Sequence, residues 1–95
     1  IKEFAEAAII SFTEFKTNYS LFLQKRDEEN FRRAGHKIKP VAQMLGLNSI
    51  VDEYENAKKI IWEEKPDSDI QSSIIKMDKT CNQVLNELEN ISSNE

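Results

Sequence analysis

The chain has 95 residues, of which 32% are charged and 39% are hydrophobic, and its net charge is −4. This composition indicates one small globular domain, and the negative charge argues against a general nucleic-acid binder. No apolar run is long enough to span a bilayer, so no membrane contact by this domain is expected, and no signal-peptide pattern is present. A single cysteine cannot form an internal disulfide, which favours a reducing compartment, the cytoplasm.

Apolar residues at spacings of three and four predict two amphipathic helices in the first half of the chain. The first covers about residues 2–25 and the second about residues 28–45. Asp27 is the predicted N-cap of the second helix, and Gly46 is its predicted C-terminal stop. The apolar stripe of the second helix consists of Phe31, Ala34, Ile38, Val41 and Leu45.

The second half of the chain predicts two further helices, over about residues 49–65 and 69–91. A Ser-x-x-Asp pattern at Ser49 and a Ser-x-x-Gln pattern around Ser68 resemble capping boxes that would start them. Pro66 is predicted to end the third helix at the residue before it. The main apolar stripe of the third helix consists of Ile50, Tyr54, Ala57 and Ile61.

Short connections between long helices predict an all-α fold, an antiparallel up-down-up-down four-helix bundle. We expect residues 1–95 to form one domain, which is monomeric because four apolar stripes can close on one another. The chain starts without methionine and already in helical rhythm. This start suggests a module excised from a longer chain.

His36 is the only histidine, and the helical period places it away from the apolar stripe. It is two residues from Ile38, about 200° around the helix. The residues three and four positions away include Arg32, Arg33 and Lys39. An imidazole among cations, with no partner carboxylate on its own helix, suggests a group that handles anions.

Several interpretations of this histidine compete, beginning with a solvent-exposed side chain that has no role. A metal site needs convergent ligands, and one histidine with one core-facing cysteine does not supply them. General-base catalysis needs an orienting carboxylate and a cleft, and the sequence shows neither. Phosphate handling needs a neutral imidazole, cations and small neighbours. His36, Lys39, Gly35 and Pro40 meet those needs.

The stretch His36-Lys37-Ile38-Lys39, followed by Leu45-Gly46, resembles the signature of histidine-containing phosphotransfer (HPt) domains. The resemblance covers essentially the whole chain, because family members are four-helix bundles with this histidine on the second long helix. The family usually has glycine four residues after the histidine, where this chain has Pro40. Proline lacks an N–H, so the helix is expected to kink there.

The resemblance implies a phosphorelay intermediate rather than an enzyme with its own ATP site. His36 would accept a phosphoryl group from an aspartate of a response-regulator receiver domain and pass it to another receiver. Lys39 would neutralise the phosphoryl oxygens, and Gly35 and Pro40 would leave room for the partner. The candidate supporting residues are Arg32, Arg33, Gln43, Glu55 and Lys58, of which Glu55 and Lys58 are candidates to orient the imidazole. No cofactor is expected in this chain, because the receiver would hold the magnesium, and the parent is expected to be a hybrid sensor histidine kinase carrying this module at its C-terminus.

Two other functions compete with phosphotransfer. The dimerisation and phosphoacceptor domains of sensor kinases place an acidic residue directly after the histidine, where this chain has Lys37. The chain also lacks a glycine-rich phosphate loop. The remaining alternative is a helical interaction module that binds a receiver-like partner without carrying phosphate, and Pro40 keeps that alternative open.

Overall fold

The structure is a computed structural model that describes residues 1–94, so the last residue of the predicted domain lies outside it. The described chain folds into four helices, as predicted: α1 (Lys2–Gln24), α2 (Glu28–Met44), α3 (Asn48–Trp62) and α4 (Asp67–Ser93). Within this part of the chain, no helix has both the length and the apolar character needed to cross a bilayer.

The four helices pack as a bundle with extents of 46 × 20 × 20 Å. Helix α1 packs against α2 and α4, and α3 packs against the same two helices. Each helix therefore has two principal neighbours, and the buried faces enclose one core. The largest fully buried side chains are Tyr19, Phe12, Phe31, Leu23, Ile50, Ile70, Met77 and Cys81.

The core differs from the predicted stripes at the ends of the helices. Leu45, predicted to lie in the core, is exposed, and Ala42 is fully buried instead. Near the end of α3, Ile60 is buried, whereas the predicted Ile61 is only half-buried. In both helices the buried face differs slightly from the predicted stripe, because packing against the other helices determines which residues lie at its centre.

The start of α2 was predicted correctly. The Asp27 carboxylate accepts a hydrogen bond from the Asn30 backbone N–H at 3.2 Å and from the Asn30 side-chain amide at 2.7 Å. These two donors hold the pKa of the Asp27 carboxyl below its usual value. The cap satisfies one of the N–H groups that a helix leaves unpaired at its start.

The predicted capping boxes of α3 and α4 are wrong. Leu47 and Pro66 occupy the cap positions, and neither start has a side-chain cap. Leu47 packs against the core, so burial fixes the start of α3. Asp67 and Asp69 lie in the first turn of α4, where their charge favours the helix dipole.

Helices α1, α2 and α3 end in the same way, with a residue in the left-handed region just after the helix. In α2 this residue is Gly46, whose N–H donates to the Gln43 carbonyl at 3.1 Å while the Leu47 N–H donates to the Ala42 carbonyl at 2.8 Å. This pair of bonds is the Schellman motif. The same motif ends α3 at Trp62, before the predicted Lys65, and places the non-glycine residue Glu64 at φ 51°.

We expect Glu64→Gly to stabilise the protein by about 0.5–1 kcal/mol. A side chain in the left-handed region costs about 1–2 kcal/mol relative to glycine, and the greater freedom of glycine in the unfolded chain offsets part of that gain. Glu64 is exposed, so little packing is lost. Denaturant unfolding checks the value.

Gly46→Ala is the matched control, since Gly46 occupies the equivalent position at φ +70° and an added Cβ there would meet no atom within 4 Å. This substitution should destabilise the protein by a similar amount. If Glu64→Gly instead lowers the free energy of unfolding, the Glu64 side chain contributes more than its backbone conformation costs.

One polar network crosses the core. The Tyr19 hydroxyl and Ser73 Oγ lie 2.7 Å apart, and Ser73 Oγ donates to the Glu53 carboxylate at 2.6 Å. Burial raises the pKa of the Tyr19 phenol far above its usual value, so the hydroxyl stays protonated. The network joins α1, α3 and α4 through hydrogen bonds, which the apolar stripes did not predict.

Candidate functional site

His36 lies on the exposed face of α2, as its position off the apolar stripe predicted. Ala34 and Ile38, two residues to either side, are buried, so the imidazole stands on the outer ridge of the helix. Within residues 1–94, the side-chain hydrogen bonds and ion pairs near this ridge involve its lysine neighbours and not the imidazole. The ring is therefore accessible to a molecule that approaches the bundle from the side of α2.

Two lysines flank His36, and each is paired with a different neighbouring helix. The Lys37 ammonium lies 2.6 Å from Glu14 Oε1 on α1. The Lys39 ammonium lies 2.8 Å from Glu55 Oε2 on α3. Lys39 is one turn beyond His36, a separation at which side chains on a helix are neighbours. The histidine thus stands between two cations that the fold holds in place.

Glu55, a candidate to orient the imidazole, is paired with two lysines in the structure. Its Oε2 faces Lys39, and its Oε1 lies 2.9 Å from the ammonium of Lys58, one turn further along α3. These two cations, Lys39 first, hold the pKa of the Glu55 carboxyl below its usual value. Oε2 is shielded from solvent and has no well-aligned hydrogen bond among the described residues, so the Lys39 ammonium is its electrostatic partner.

Tyr54 places an aromatic ring near two lysines of the site. Its ring lies 6.0 Å from the Lys39 ammonium and 5.2 Å from the Lys58 ammonium, within the range of cation–π attraction. Its hydroxyl donates to the Arg32 carbonyl of α2 at 3.3 Å. Burial raises the pKa of the phenol, with a further contribution from the Glu55 charge. No sequence signal pointed to Tyr54, which periodicity placed only in the core.

Gly35, predicted to leave room for a partner, lies where α2 packs against α3. It is buried, and a Cβ at this position would overlap the Tyr54 ring. The missing side chain therefore lets α3 approach α2 closely, directly behind the face that carries His36. Pro40 is exposed, and α2 continues as a helix through it to Met44.

The remaining predicted residues lie on the outer surface of α2. Arg32 pairs with Glu28 at 3.5 Å, and Arg33 pairs with Glu29 at 3.8 Å. Each pair joins residues four apart on the exposed helix surface, so each contributes little to stability. Gln43 is exposed beyond Pro40. None of the three is brought into contact with Lys39 or Glu55 by a hydrogen bond or an ion pair within the described chain.

Two shallow grooves border α2, and the sequence did not predict either. The groove between α1 and α2 has a volume of about 100 Å³ and is lined by Ile10, Glu14 and Lys37, among others. The groove between α2 and α3 has a volume of about 210 Å³ and is lined by Arg32, Glu55, Lys58 and the exposed Trp62, among others. The charged ridge that carries His36 therefore has a recess along each side.

The described chain contains no cluster of three or more side chains able to hold a metal ion. The single cysteine, Cys81, is fully buried, and burial raises the pKa of its thiol to about 12. A protonated thiol is a poor metal ligand. This core position gives Cys81 a packing role.

No family model, curated protein or solved structure matches the chain. The resemblance to HPt domains therefore rests on the residues around His36 and on the arrangement of the helices.

Proposed function

We propose that this chain is a phosphorelay intermediate in two-component signalling, with His36 as the phosphoacceptor. The observation that carries the proposal is the exposed imidazole of His36 on the outer ridge of α2, with the Lys39 ammonium held one turn away. Phosphoryl transfer depends mainly on positioning and on charge stabilisation, and this arrangement supplies an accessible nucleophile and a nearby cation.

The reaction begins with attack of one ring nitrogen of neutral His36 on the phosphorus of an aspartyl phosphate. The N–P bond forms with the nitrogen lone pair, the P–O bond to the aspartyl carboxyl breaks, and the carboxylate leaves with that electron pair. The proton on the other ring nitrogen stays in place. Transfer onward reverses these steps on a second receiver, and Lys39 neutralises part of the phosphoryl charge throughout.

The partners in this proposal are receiver domains, which carry the magnesium, and the chain acts as a monomeric cytoplasmic module of a hybrid sensor kinase. It is a carrier without an ATP site of its own. The proposal includes the antiparallel up-down-up-down order of the bundle. The pairs Glu14–Lys37 and Tyr19–Phe31 support that order between α1 and α2, because residues later in α1 contact residues earlier in α2.

We expect radiolabelled phosphoramidate, a small donor that phosphorylates imidazoles, to label the chain, and His36→Gln to reduce the label to background. Since the chain has no other histidine, the loss would identify the acceptor directly. The label should be acid-labile and stable to alkali, as an N–P bond is. A panel of phosphorylated receiver domains then tests transfer from aspartate, with the same variant as control.

Two results would count against phosphotransfer. Label that persists in His36→Gln would place the acceptor elsewhere. A chain that binds receivers but takes no phosphoryl group from them or from phosphoramidate would be the non-phosphorylated interaction module.

A further inference from the structure

The cation proposed to stabilise the phosphoryl group is already bound to an anion. The Lys39 ammonium lies 2.8 Å from Glu55 Oε2, an oxygen that is shielded from solvent. An ammonium paired in this way offers less of its charge to a group on His36 than a free one would. A phosphoryl group on His36 would therefore have to compete with Glu55 for Lys39.

Glu55 has a second cation that can remain with it. Lys58 Nζ lies 2.9 Å from Oε1, on the same helix one turn away, and above the Tyr54 ring at 5.2 Å. If Lys39 turned towards His36, Glu55 would keep one cation. The three charges sum to +1 with one anion between two cations, so removing Lys39 leaves a neutral pair and not an isolated carboxylate.

The pair on the other side of His36 is built differently. The Lys37 ammonium lies 2.6 Å from Glu14, and within the described residues Glu14 has no second cation partner. Moving Lys37 would leave Glu14 unpaired. Lys39, three residues after His36, is a neighbour of the imidazole on the helix surface, whereas Lys37, the next residue, projects about 100° away around the helix. Lys39 is therefore the lysine placed to change partners.

We infer that Glu55 is a positioning residue that holds Lys39 while His36 is free and yields it when His36 carries a phosphoryl group, with Lys58 keeping Glu55 paired. This inference rests on the proposed function. Lys39 lies three residues after His36, within reach of a group on its ring, and no covalent bond changes in the exchange. Glu55 acts only through Lys39. By competing for the Lys39 ammonium, it makes the phosphohistidine less stable than it would be if Lys39 were unpaired.

The test is a double-mutant cycle on labelling by phosphoramidate. At a fixed phosphoramidate concentration, Glu55→Gln should increase the extent of phosphohistidine by about two- to five-fold, the factor expected of a partly exposed ion pair. In a Lys39→Met background, Glu55→Gln should have no effect, because the ammonium that it would release is gone. Glu14→Gln is the matched control: it frees Lys37 and should leave the phosphohistidine unchanged.

A second measurement does not depend on variants of Glu55. In the unmodified chain, the ammonium resonance of Lys39 should shift when His36 is phosphorylated, and the resonance of Lys37 should stay in place. Circular dichroism of each variant checks that the helices are retained. Since the Glu55 side chain is 40% exposed, its neutral isostere should fold.

The outcomes distinguish failure of this inference from failure of the proposed function. If His36 is labelled but Glu55→Gln has no effect, or has the same effect without Lys39, or the Lys39 resonance does not move, the exchange is refuted and phosphotransfer stands. If the wild-type chain is never labelled on His36, the proposed function fails and the exchange fails with it.

Discussion

Gly35→Ala should destabilise the protein by about 2–4 kcal/mol, although the same substitution in an exposed helix normally stabilises it by up to about 1 kcal/mol. The added Cβ would overlap the Tyr54 ring. That ring cannot move aside freely, because it is buried and its hydroxyl is bonded to the Arg32 carbonyl. Either the ring leaves its position or α3 moves away from α2, and both options lose packing.

Denaturant unfolding of two backgrounds checks the mechanism. In a Tyr54→Leu chain, which lacks the ring, Gly35→Ala should be neutral or stabilising, as helix propensity predicts. A loss of the same size in both backgrounds would show that Tyr54 is not the obstacle. Because Glu55 follows Tyr54 directly, the single variant should also loosen the Lys39–Glu55 pair and lower labelling of His36 more than its global stability explains.

Phe31→Ala should be among the most destabilising truncations in the chain, at about 3–5 kcal/mol. Phe31 is 1% exposed, and its ring lies between those of Tyr19 and Tyr54, with centroids 5.0 and 5.2 Å away. A fourth ring, Phe15, contacts Tyr19 at 5.5 Å. Removing Phe31 breaks a continuous aromatic contact that runs from α1 through α2 to α3, and leaves a cavity.

Phe4→Ala is the matched control, since it removes the same side chain from a position that is 40% exposed near the start of α1. Its cost should be about 1 kcal/mol or less. Free energies of unfolding compare the two variants directly. Equal costs would contradict the prediction, because they would mean that neither the deeper burial of Phe31 nor its aromatic contacts add to the cost of losing the ring.

Much of the secondary structure could be predicted from the sequence because it depends on neighbours along the chain. The four helices follow from apolar spacing, and the start at Asp27 and the stop at Gly46 follow from local hydrogen bonding. The predicted caps failed at the starts of α3 and α4, where Leu47, partly buried against the core, and Pro66 occupy the cap positions. The predicted end of α3 at Lys65 was wrong because the left-handed turn at Glu64 comes earlier. The contact of Leu47 with the core depends on packing, which a local pattern does not encode, and a left-handed turn at a residue other than glycine has no sequence signal of its own.

The candidate site, too, could be predicted from the sequence only in part. Helical periodicity was sufficient to place His36 outside the core, and Lys39 one turn away from it. Periodicity could not show that Glu55 faces Lys39 and not the imidazole, because that contact joins α2 to α3. It also could not show that the Tyr54 ring occupies the space that a side chain at position 35 would need.

The sequence by itself determined that this protein is four helices with a lone histidine on an outer face among cations. The tertiary structure alone decided which cations are engaged: Lys37 with Glu14, and Lys39 with a carboxylate that Lys58 shares. The reason is physical. The position of a side chain around its own helix follows from the period of 3.6 residues, whereas its partner on another helix depends on how the two helices are placed and rotated in the bundle.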